Sequence, residues 1–144
     1  MLLLVALVLI YAVAHPGETS GSTPTPSATS SSTSTDAQLE TLFQEQKSNV
    51  QVAGTGTVTR LLADDNEGSR HQRFILQLDS GQTLLIAHNI DIAPRLDGLS
   101  VGDRVSFYGE YVYTDQGGTI HWTHHDPGGN HVAGWLQWGG RRYG

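Results

Sequence analysis

Val101-Gly102-Asp103-Arg104-Val105-Ser106-Phe107-Tyr108-Gly109-Glu110-Tyr111 decides the fold. Val101-Gly102-Asp103 is a turn, and the residues after it alternate. Val105, Phe107 and Tyr111 share parity with Gly109 and Tyr113, the period-two pattern of a strand with one face in a core. Upstream, Asn89–Leu99 with Pro94 reads as an irregular connection. Before it, Ser80-Gly81 makes a hairpin turn between a strand carrying Phe74, Leu76 and Leu78 and a second strand at Thr83–His88. Asp64–Ser69 is a polar loop. Val50–Leu62 is a strand interrupted by Gly54 and Gly56, where a bulge or a tight bend is expected. Downstream, Asp115–Gly118 is a turn, Ile120–His124 a strand and Asp126–Gly129 another turn. The tail returns through Val132, Trp135, Leu136 and Trp138.

Five or six short strands with turn signals between them must hide their edges. The expected solution is a mainly β fold, a small antiparallel barrel, closed or partly closed. One short helix precedes it. Thr35-Asp36-Ala37-Gln38 matches a capping box, and Leu39, Leu42 and Phe43 follow at helical spacing, so the helix is expected over about 36–47. A Gly-interrupted first strand, a hairpin, an irregular linker and a Gly-Asp-opened fourth strand together resemble the OB-fold.

A second resemblance covers nearly all of residues 50–144. It rests on Arg70-His71-Gln72-Arg73-Phe74, on Ala87-His88-Asn89-Ile90-Asp91-Ile92-Ala93-Pro94-Arg95, on Ile120-His121-Trp122-Thr123-His124-His125-Asp126-Pro127 and on Gly134-Trp135-Leu136. These runs, with the Gly102–Tyr111 run, resemble a bacterial family of small exported domains of unknown function. The resemblance implies an envelope or secreted protein and no particular activity.

The ends of the chain differ in composition. Residues 1–14 are apolar, apart from Tyr11, and uncharged. They have the length of a secretory signal core rather than a membrane span of about 20 residues, and Ala12-Val13-Ala14 offers a cleavage site before His15. An uncleaved N-terminal anchor is the alternative, and would be the chain's only hold on a membrane. Residues 15–35 are dominated by Ser, Thr and Pro, and are expected to be a disordered tether. Residues 36–144 form the domain, large enough to fold alone. The chain is therefore expected outside the cytoplasm: periplasmic, secreted or anchored.

The 144 residues contain no Cys, which excludes a disulfide scaffold, a thiolate metal site and a Cys nucleophile. The net charge of -6 disfavours holding a polyanion by bulk charge.

Chemistry, if present, is expected from the six His of the domain. If Ile120–His125 is one strand, His121 and His125 share a face roughly 13 Å apart and cannot bind one ion there. A site for zinc or another divalent metal is easiest across the following turn, from His125, Asp126 and His131, with His121 as a fourth candidate. His124, on the parity of Ile120 and Trp122, reads as a core residue. Arg70, His71 and Arg73 form a cationic cluster suited to an anion, or to ion pairs with Asp64, Asp65 or Glu67. His88, Asn89 and Asp91 end a strand, where Asp91 could orient His88 as a base, or Asn89 and Asp91 could cap the turn. Trp135 is a candidate stacking surface, with Trp122 assigned to the core.

Three functions compete. The first is a non-enzymatic binding module for a small anion, saccharide, nucleic acid or protein. The second is a His-dependent metal-binding hydrolase of phosphodiesterase type. The third is an envelope protein-interaction domain.

Overall fold

The computed structural model describes residues 29–144. The expected signal segment 1–14 and the tether up to residue 28 lie outside the described residues. Chain order is α1 (Thr29–Gln44), β1 (Val50–Leu61), β2 (His71–Leu78), β3 (Thr83–Asn89), β4 (Arg104–Val112), β5 (Thr119–His121), β6 (Trp135–Trp138) and β7 (Arg141–Tyr143). One sheet runs β1-β2-β3-β5-β4-β6-β7, and β1 also pairs with β4. The first five strands thus close into an OB-like barrel, and β6 and β7 extend it from β4.

Two details differ from the expectation. The described strands number seven rather than five or six, because the tail forms a hairpin of its own. The pairing β3–β5 is parallel, which the crossover through β4 imposes, while every other ladder is antiparallel.

Alternation explains the interior. Val52 and Val58 of β1, Phe74, Leu76 and Leu78 of β2, and Leu84 and Ile86 of β3 all point inward. Val105, Phe107 and Tyr111 of β4, Ile120 of β5 and Leu136 of β6 join them. Gly54 is where Phe107 fits, since a Cβ there would sit 2.5 Å from the ring. The bulge falls a little later, between Val58 and Arg60. It lies within the β1–β2 ladder, just after the last β1–β4 pair, Thr57 with Arg104.

The helix begins at Thr29 and ends at Gln44, taking in residues 29–35 of the stretch read as tether. Thr35–Gln38 therefore lies inside the helix and not at its start. Asp36 is buried, and its carboxylate accepts the Ser80 amide at 3.0 Å, tying α1 to the β2–β3 turn. Leu39 and Leu42 seat the helix on the barrel, and Phe43 packs on Tyr113 with ring centroids 5.7 Å apart. Among the described residues no helix is long and apolar enough to cross a membrane.

The β3–β4 connection has almost no secondary structure and is pinned by a polar side chain. Gln72, buried in β2, accepts the Leu96 amide at 2.9 Å and donates to the Leu96 carbonyl at 3.1 Å. Leu96 and Leu99 then enter the core.

Replacing Leu39 by Ala should cost about 2–5 kcal/mol in urea unfolding, as for other fully buried leucines. A loss below about 1 kcal/mol would mean that α1 is not part of the folded core.

Candidate functional site

The site is built where β4 changes neighbours. Residues 110–112 pair with β5, and residues 106–108 pair with β6. Gly109 lies between. A Cβ there would stand 2.5 Å from the His121 carbonyl, so the chain leaves the sheet at this point. Residues 122–134 form a loop and return at Gly134, whose amide donates to the His124 carbonyl at 2.9 Å. A side chain on Gly134 would run into the carbonyl oxygens of Trp122 and Tyr108. A compact loop with adjoining ends and its own internal packing is a frequent seat of function.

β5 therefore stops at His121, three residues short of the strand read from Ile120–His124. Trp122 is not a core residue. It has a positive φ of 54°, is partly exposed and stacks on His131, with centroids 4.1 Å apart and planes 10° apart. That backbone conformation is uncommon for a bulky residue and persists only when its surroundings enforce it. His124 is buried, and its Nδ1–H donates to the His125 carbonyl at 2.6 Å. Burial and the neighbouring His125 push its pKa down, despite the carbonyl bond.

Glu110 holds this loop onto the barrel. On the outer face of β4 it is level with Gln51 of β1 and His121 of β5. One carboxylate oxygen lies 3.0 Å from His121 Nε2, the other 2.8 Å from His131 Nε2. Partial burial of the carboxyl opposes its ionisation, but the two imidazoles outweigh burial and hold its pKa below the usual value. His131 Nδ1 lies 2.8 Å from the Val132 carbonyl, so both of its ring nitrogens face oxygen acceptors. Asp126 shapes the loop from within. Its carboxylate accepts the amides of Gly128, Asn130 and His131 at 2.9, 2.7 and 2.9 Å, which lower its pKa.

The candidate residues divide by location. His121 and His131 converge, but on Glu110. Asp126 is engaged with backbone amides, and His125 is exposed. Among the described residues no group of three or more His, Asp or Glu side chains is arranged to hold a metal ion. Glu110 was missed because only the register of β4 against β5 shows which His it meets. Its place on the outward parity of the fourth strand was the one available signal.

Arg70 does not pair with the upstream acids. Its backbone amide and Nε donate to the two oxygens of Asp91 at 2.8 and 2.7 Å. Arg73 donates to the Ala63 carbonyl at 3.1 Å, and Asp64 pairs with Arg95 instead. Asn89 accepts the Asp91 amide at 2.9 Å.

Asp91 is thus committed to Arg70, and His88 is oriented by other groups. His88 is fully buried, with Nδ1 at 2.8 Å from Thr123 Oγ1 and Nε2 at 3.0 Å from the Pro94 carbonyl. A carbonyl only accepts, so Nε2 carries the proton and Nδ1 accepts from the Thr123 hydroxyl. Burial lowers the His88 pKa from 6.5 to about 4. The pair has the outline of a hydroxyl and its base, but Thr123 is also fully buried. Neither atom can reach a substrate, and a base so weak activates little at neutral pH. These two residues fasten the start of the loop to β3.

Trp135 lies on β6 under Arg142, whose guanidinium is 4.2 Å from the ring centroid, and 6.1 Å from Tyr108. It does not line the crevice that brings together four of the candidates, His71, Asn89, His121 and Asp126, and neither do Arg70, Arg73, His88, Asp91, His125 or His131. That crevice, about 360 Å³, is lined by Ser69, His71, Asn89, Ile92, His121, Trp122, His124 and Asp126. It lies between the start of β2, the end of β3 and the 122–134 loop. Its volume falls within the range of small-ligand sites, roughly 300–1,000 Å³.

A family model described as "Protein of unknown function (DUF3465)" matches residues 24–144. No curated protein matches the chain.

His88 makes stability depend on pH. Its folded pKa is depressed, so the unfolded chain binds the extra proton, and stability falls as pH drops from 6.5 towards about 4. The full shift corresponds to roughly 3 kcal/mol. Urea unfolding at pH 7 and pH 4.5 should show most of that slope, and His88→Gln should remove it. An equal slope in the variant would assign the acid sensitivity to other groups.

Proposed function

The chain belongs to the DUF3465 family, and for it we propose a non-catalytic binding module, acting outside the cytoplasm, that holds a saccharide in the crevice beside the 122–134 loop. The observation that carries this reading is the crevice lining. It offers hydrogen-bond donors and acceptors from Ser69, Asn89 and three imidazoles, together with the Trp122 indole. Neither Lys nor Arg is among those residues, and Asp126 is. The nearest sequence cation, Arg70, is spent on Asp91.

A neutral, polyhydroxylated ligand suits this balance better than an anion. It also suits a chain of net charge -6 better than nucleic acid does. The outward residues of β2 and β3 carry no Phe, Tyr or Trp. The base-stacking platform that oligonucleotides use on such barrels is therefore missing from this face. Export rests on the apolar 1–14 segment and its Ala-x-Ala site.

The test is a panel of soluble mono- and oligosaccharides followed by backbone and indole NMR shifts. A binding sugar should move His71, Asn89 and the Trp122 indole. His71→Ala should weaken it about tenfold, or ~1.4 kcal/mol, while Trp135→Ala leaves it unchanged. Shifts centred on Trp135, or binding of a short oligonucleotide in place of every sugar, would overturn the assignment.

A further inference from the structure

The lining residues Trp122, His124 and Asp126 all belong to the 122–134 loop. What holds that loop down therefore controls one wall of the crevice. From the geometry of Glu110, His121 and His131 we propose a proton-operated latch that closes this wall in acid to neutral solution and releases it in alkali. This inference names the regulation of the proposed saccharide site and rests on that reading. Its test does not require a sugar.

His131 carries the proposal through donor and acceptor accounting. Nδ1 faces the Val132 carbonyl and Nε2 faces a Glu110 carboxylate oxygen. A carbonyl and an ionised carboxylate can only accept. A neutral imidazole has one N–H and would leave a lone pair against an oxygen lone pair. The observed contacts need a proton on each nitrogen, which makes His131 an imidazolium. His121 does not have this requirement. Only its Nε2 has a partner here, so a neutral ring with Nε2–H satisfies the other Glu110 oxygen.

The remaining surroundings agree. The groups facing the latch are Glu110 from β4, His121 from β5, and Asp126 and the Trp122 ring from the loop. From β1, Gln51 contributes a neutral amide level with Glu110. The two acids around His131 both favour its charged form, and its pKa is raised, first by the Glu110 bond and against partial burial. A raised folded pKa means that the latch's contribution is complete below 6.5 and is lost as pH rises through the folded value. Glu110 has a lowered pKa, so it stays ionised until the solution is strongly acidic. Between those limits the loop is fastened. Above the upper one, His131 loses a proton, one ring nitrogen is left with a lone pair against the Val132 carbonyl or the Glu110 carboxylate, and the clasp loses its charge pairing.

The test is amide hydrogen exchange of the protein between pH 5.5 and 9, corrected for intrinsic rates. Wild-type amides at 123–134 should lose at least tenfold in protection as His131 titrates. Amides paired between β1 and β2 should keep theirs. Glu110→Gln should exchange fast in the loop at both ends of the range while its β1–β2 amides remain protected. Loop protection that is level across the range would overturn the latch. So would wild-type protection in Glu110→Gln. Stoichiometric zinc retained on His131 would also overturn it, because a metal and not a proton would then bridge the two residues. A working latch with no saccharide bound would leave the switch standing and remove the proposed ligand.

Discussion

One carboxylate between two imidazoles organises the half of this molecule that carries the crevice. Glu110 is a residue of the barrel wall, and His131 is ten residues beyond the end of β5. Their contact at 2.8 Å folds residues 122–134 back across β4, where glycine at 109 and 134 makes the space. Three further features follow from that docking. Trp122 stacks on His131 and accepts a strained φ, Asp126 collects three loop amides, and a crevice opens against the start of β2. A charge-assisted bond of this kind is about twice as strong as a neutral one, and partial exclusion of water from Glu110 preserves that strength.

The histidines have three different tasks, set by their surroundings. His88 is buried, neutral and structural, with both nitrogens satisfied by Thr123 and Pro94. His131 sits beside Glu110 and Asp126, which raise its pKa. His71, His121 and His124 line the crevice. The same residue type thus serves as core polar group, partner of a carboxylate and crevice lining. The hydroxyl best placed beside a base, Thr123, is sealed in the interior, and the carboxylates of Asp91, Asp126 and Glu110 are already bonded to Arg70, to loop amides and to imidazoles.

The barrel was legible because its information is local. Phe74, Leu76 and Leu78, and Val105, Phe107 and Tyr111, alternate as strands that bury one face, and Ser80-Gly81 marks the hairpin between β2 and β3. The helix was placed by Leu39, Leu42 and Phe43, but its start was not, since Asp36 serves Ser80 from a distant turn and not its own helix end. The site was less legible. Trp122 and His124 continue the alternation of Ile120, and only the closeness of Gly109 to His121 shows that the strand must stop. Asp91 and Asp64 each had a plausible local partner and found a distant one, in Arg70 and Arg95. The partners of Glu110 were hidden for the same reason, since they are fixed by register and by the return of a loop.

The central claim is that His131 is an imidazolium clasped by an ionised Glu110. Long-range nitrogen–proton NMR of the histidine rings at pH 7 reads this directly. The account predicts imidazolium-type shifts at both ring nitrogens of His131, with a scalar or through-space connection to Glu110. A neutral His131 ring at that pH, bare at either nitrogen, or a protonated Glu110 carboxyl, would contradict it.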